Sequence, residues 1–147
     1  MFGTVQQGAA VSITAPSGTH IQNAGGTTDE IDFSISGGGP SGVIQNGVPL
    51  DCTGQAGNTI TVAAYGDTTG GSSPTGWRWG ITVVDNSAGL ISSAPPTPPT
   101  TQNWTGMQFT IAGSISSGMV AIFELSVEAS NSAGNDSATF EVLFLVP

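Results

Sequence analysis

Few side chains in this chain are equipped for chemistry. It holds one histidine, His20, and one cysteine, Cys52. A nucleophilic triad needs a base beside its nucleophile. His20 lies in a polar stretch between Thr19 and Ile21, where a solvated loop histidine is the plain reading. Cys52 cannot close an internal disulfide and reads as a small buried hydrophobe. A zinc site needs several Cys, His or carboxylate ligands in register, and one Cys and one His do not supply them. No glycine-rich segment has the strand–glycine–helix setting of a phosphate loop. The chain is therefore expected to be non-enzymatic and to carry no cofactor.

Two further groups could act on a ligand. Asp29, Glu30 and Asp32 cluster at a strand start. Paired carboxylates can exchange protons, and calcium takes oxygen ligands of this kind, but solvated edge charges are the simpler reading. Trp77, Trp79, Trp104 and Tyr65 could stack on sugars. Trp77 and Trp79 alternate with polar residues on the side of Ile81 and Val83, so they are expected to fill the core. Trp104 follows a proline run and is expected to be an exposed ring. The sequons at Asn103 and Asn135 are read as coincidental.

Charge narrows the partners. Ten Asp and Glu face a single basic residue, Arg78, with no lysine, for a net charge of −9. Nucleic acid and anionic membrane both select for clustered Lys and Arg, so neither is an expected partner. No stretch approaches the ~20 apolar residues of a membrane helix. The start, Met1–Gln7, has no basic residue and no apolar run; it does not read as a secretory leader. The chain is expected to stay where it is made until lysis. At 147 residues it is one domain's worth, long enough for a real core.

The elements follow a period of two. In Met119–Ala129 every odd position is apolar, and Ala138, Phe140, Val142, Phe144 and Val146 repeat the pattern after a polar turn at Ser130–Ser137. This predicts a C-terminal hairpin with one face in a core. Shorter alternations mark strands at Ala9–Ala15, Glu30–Ser36, Asn58–Tyr65, Trp77–Val84, Gly89–Ser92 and around Met107–Ile111. Val43–Ile44 and Val48–Cys52 flank Asn46-Gly47, the commonest hairpin dipeptide. Ala94–Pro99 reads as an extended polyproline connection. No apolar helical spacing is sustained. The fold class is all-β, an antiparallel sandwich.

Asn58-Thr59-Ile60-Thr61-Val62, then Trp77-Arg78-Trp79-Gly80-Ile81, resembles strands B and C of bacterial and viral immunoglobulin-like modules. The ending Val127–Phe140, with its Ala-x-Asn-x-x-Gly turn and Ser-x-Thr-Phe strand, resembles their F–G hairpin. The likeness covers residues 42–147 and leaves 1–41 as an N-terminal arm with an added strand or hairpin. Cys52, without a partner, departs from the bridged antibody pattern. The resemblance implies that strands C and F are neighbours, which puts Arg78 on the outer face within reach of Glu124 or Glu128. Such modules serve adhesion, sugar binding and virion decoration alike.

Two features point to assembly. Val142–Val146 is apolar on both faces, so Leu143 and Leu145 need a second cover, from the N-terminal segment or another subunit. A sheet protein without lysine also lacks the usual edge guard. Together with Trp104 and Arg78, Leu143 and Leu145 form the expected interface. The expected function is a virion structural protein, a phage capsid decoration or cement protein bound to a major capsid or other virion protein and oligomeric; a secreted carbohydrate-binding or adhesin module is the alternative.

Overall fold

The computed structural model describes residues 18–22 and 29–147. Within them the chain is all-β, with nine strands and no helix: β1 His20–Gln22, β2 Glu30–Ile35, β3 Gly42–Gln45, β4 Pro49–Asp51, β5 Thr59–Asp67, β6 Gly76–Asp85, β7 Asn103–Thr110, β8 Val120–Asn131 and β9 Gly134–Leu145. The expected strand at Ala9–Ala15 lies outside the described residues.

Two sheets enclose one core. In the first, β5 is central. β7 pairs along one edge of it, and β1 and β2 share the other, β2 opposite Ile60–Ala63 and β1 opposite Tyr65–Asp67. β1 and β2 thus lie one after the other along the same edge, and the Asp29 N–H donates to the Ile21 carbonyl at 2.7 Å. β3 extends this sheet beyond β2. The second sheet runs β4-β9-β8-β6, antiparallel except for β4, which is parallel to β9.

The alternation read from sequence sets both inner faces. Ile60, Val62 and Ala64 from β5, Ala121 to Ala129 on the odd positions of β8, and Phe140, Val142 and Phe144 from β9 are all buried. Phe109, Phe123 and Phe144 meet as a triangle with centroids 5.1, 5.2 and 6.1 Å apart, tilted or edge-on as ring quadrupoles prefer. Ile21, Ile31 and Ile35 join the same core, so the described residues before 42 are built into it.

Several details differ from expectation. β8 and β9 run almost to the turn, and Asn131 pairs with Gly134, leaving only Ser132-Ala133 between them. Asn46-Gly47 makes no hairpin, because β3 belongs to the first sheet and β4 to the second. The turn instead carries the chain across and docks on β9: Asn46 Oδ1 accepts the Glu141 N–H (2.8 Å), and the Gly47 N–H reaches the Glu141 carbonyl (3.1 Å). Gly89–Ser92 forms no strand, only a bridge of Ile91 to Ile111, with Ser92 bonded to Thr110. That segment shields the end of β7, while the Pro99 carbonyl accepts the Trp79 N–H at the edge strand β6. The lysine-free edges are thus partly blunted by the chain itself.

Candidate interaction surface

Trp104 is not an exposed ring. It is buried at 4 % exposure, edge-on to Trp79 with centroids 5.9 Å apart. The cause is a bulge. Met107 pairs with Val62 and Trp104 with Ala64, so the register shifts and β7 holds an extra residue between them. Gly106 at φ +77° supplies the left-handed backbone that such a bulge requires. Simple alternation from Met107 would point Trp104 outward; the inserted residue returns it to the core. Trp79 is also buried, its Nε1–H donating to the Thr101 carbonyl at 2.9 Å. Trp77 and Ile81 pack half-buried against the core, whereas Val83, near the end of edge strand β6, is exposed. Tyr65 stands half-buried on the outer side of the first sheet, away from the three tryptophans.

Cys52 is fully buried and free, and burial pushes its thiol up to about 11. His20 is not in a loop: it lies on β1 opposite Asp67, Nε2 3.6 Å from the carboxylate. Its ring nitrogens face the Gly18 carbonyl and Gln22 Oε1. Burial opposes its charge, but these bonds, with Asp67 and Asp29, outweigh it and raise its pKa above the ordinary value. Glu30 accepts a bond from Gln45. Among the described residues no three His, Cys, Asp or Glu side chains gather closely enough to hold a metal, and Asp29, Glu30 and Asp32 are no exception.

The outer face of the second sheet remains. Register fixes its rows. Arg78 of β6 is opposite Glu128 of β8, and its Nη2 donates to Glu128 Oε1 at 2.9 Å, as the C–F neighbour relation implied. One row along, Gly80 faces Ser126; a Cβ on Gly80 would stand 2.6 Å from Ser126 Oγ. A shallow hollow of about 310 Å³ lies here, lined by Arg78, Gly80, Ser126, Glu128 and Ser137. In the next row Thr82, Glu124 and Glu141 stand side by side.

Beyond Glu124 and Glu141 the face turns apolar. Ile122 is opposite Leu143, which is opposite Pro49; Val120 is opposite Leu145, which is opposite Asp51. Val120, Ile122, Leu143 and Leu145 are each half-buried, side by side in register and next to β4, and among the described residues no third sheet or helix lies over them. Val84, extruded where β6 slips register between Val83 and Asp85, is 55 % exposed beside this patch, and Val48 is 47 % exposed at the β3–β4 turn. Alternation in Val142–Val146 already marked Leu143 and Leu145; Ile122 and Val120 were legible as apolar even positions of β8, but only the register brings them together.

Comparison with protein-family models, curated proteins and solved structures found no match.

Proposed function

We propose that this chain is a non-enzymatic, immunoglobulin-like contact module that decorates a virion, bound to a major capsid or other virion protein through the outer face of the second sheet. The observation that carries this reading is the apolar patch of Val120, Ile122, Leu143 and Leu145 on a face that in a lone sandwich meets water. The connectivity supports the immunoglobulin-like part: β2-β5-β7 stands against β6-β8-β9 as A-B-E stands against C-F-G, with the Ile91–Ile111 bridge where strand D would pair. A surface rich in Ser, Thr and Gly suits adhesion better than catalysis. The sugar-binding alternative loses its main support, because Trp104 is in the core.

The test is co-sedimentation. Purified chain mixed with virus particles from the same source should pellet saturably, at a ratio fixed by the particle's symmetry. Chain that stays in the supernatant at every ratio would overturn the virion reading.

A further inference from the structure

We infer that the partner of this face presents Lys or Arg side chains around an apolar centre, and that it is a different protein rather than a second copy of this chain. This rests on the reading of the protein as a contact module and specifies what the contact demands.

Glu124 and Glu141 are directly opposite on adjacent strands. Like charges so placed destabilise a ladder unless a cation joins them. Among the described residues none is at hand: His20 sits on the other sheet against Asp67. The chain lacks lysine, and its one arginine is engaged with Glu128. Glu128 lies four residues along β8 from Glu124, about 13 Å at strand rise, so Arg78 cannot serve both rows.

The acids also continue around the patch. Asp85 is opposite Ile122 on one flank, and Asp51 is opposite Leu145 on the other. Both carboxylates have pKa values lowered from the ordinary carboxylate value, Asp51 by bonds from Thr53 and Asp85 by bonds from Ser87. Ile122, Leu143 and Leu145 are therefore an apolar centre with carboxylates on several sides. Apolar cores with charged rims are the general plan of protein interfaces, the core supplying affinity and the rim orientation and partner choice. Two copies meeting by this face would bring carboxylates against carboxylates, and like-charge juxtaposition excludes wrong partners. A surface with Lys or Arg beside apolar side chains fits both parts at once.

A random-peptide display library selected on the immobilised full chain tests this directly, whatever the natural partner is. Selected peptides should be enriched in Lys or Arg next to apolar residues. They should bind the Glu124→Gln/Glu141→Gln variant about tenfold more weakly and bind Asp32→Asn, altered on the other sheet, unchanged. Binding should weaken with salt. Circular dichroism of each variant confirms its fold. Peptides without a basic bias, binding indifferent to Glu124→Gln/Glu141→Gln, or dimerisation of the chain in sedimentation equilibrium abolished by Leu143→Glu would each overturn the inference. A chain that selects basic–apolar peptides but ignores virus particles would overturn the virion reading and leave the partner chemistry standing.

Discussion

Trp104 and Met107 point to the same side of β7 although they are three positions apart, and both are buried. An uninterrupted strand would put them on opposite faces. The bulge at Thr105-Gly106 reconciles them, and Gly106 at φ +77° is the position on which it turns. Gly106→Val is expected to cost about 1–2 kcal/mol and to shift tryptophan fluorescence to the red as Trp104 loosens. Urea denaturation and emission spectra check this; a variant as stable as wild type, with unchanged emission, would contradict the bulge.

The packing of Trp104 against Trp79 makes a larger prediction. Trp104→Ala should destabilise the protein by about 3–5 kcal/mol, the range for a core aromatic. A solvent-exposed sugar platform would lose about 0.5 kcal/mol or less. The denaturant midpoint separates the two.

Gly66 is needed for lack of a side chain, not for its backbone angle. A Cβ there would stand 2.6 Å from the Gln102 carbonyl and 2.6 Å from Trp77 Cζ3. The backbone carbonyl cannot swing away, because it accepts the Gly66 N–H at 3.0 Å while Gln102 Nε2 donates to the Gly66 carbonyl at 2.8 Å. Gly66→Ala should cost about 1–3 kcal/mol, measured by thermal or urea unfolding.

The Arg78–Glu128 pair should matter little to stability. Both side chains reach solvent, so a double-mutant cycle should return about 0–1 kcal/mol, shrinking with salt. A coupling well above that range would mean the pair is far less hydrated than its exposure indicates.

His20 should be detectable by pH. Its pKa is raised in the folded state, so its contribution to stability is complete below the unfolded value near 6.5 and fades as pH rises through the folded value. An NMR titration of the His20 ring should give a midpoint above 6.5, lowered by Asp67→Asn. A midpoint below 6.5 would contradict the pairing. Cys52 follows the same rule at higher pH: its contribution holds below about 9 and is lost toward about 11. The native thiol should accordingly resist modification until the protein unfolds.

Where one face of a strand is buried, alternation carried the fold. β2, β5, β8 and β9 were legible because their apolar residues recur at every second position; the resemblance that set β6 beside β8 implied Arg78 within reach of Glu124 or Glu128, and the register gives it Glu128. Sequence and structure part where period two breaks. Gly106 shifts the parity of β7, and its presence inside a strand pattern was the one available signal. β1 is three residues long and has one apolar residue, Ile21, too few for any period. Asn46-Gly47 has hairpin chemistry, but whether its flanking strands pair depends on which sheet each joins, and that is decided by partners distant in sequence. The apolar patch was half legible: Leu143 and Leu145 stood out, while their meeting with Ile122 and Val120 is a matter of register.

We place this protein's contact with its partner on the outer face of the second sheet. The most direct test is particle binding by Leu143→Glu, compared with wild type and with Asp32→Asn on the opposite sheet, after circular dichroism confirms that all three are folded. Wild type and Asp32→Asn should pellet with the particles while Leu143→Glu stays in solution. Pelleting of all three to the same extent would contradict the claim.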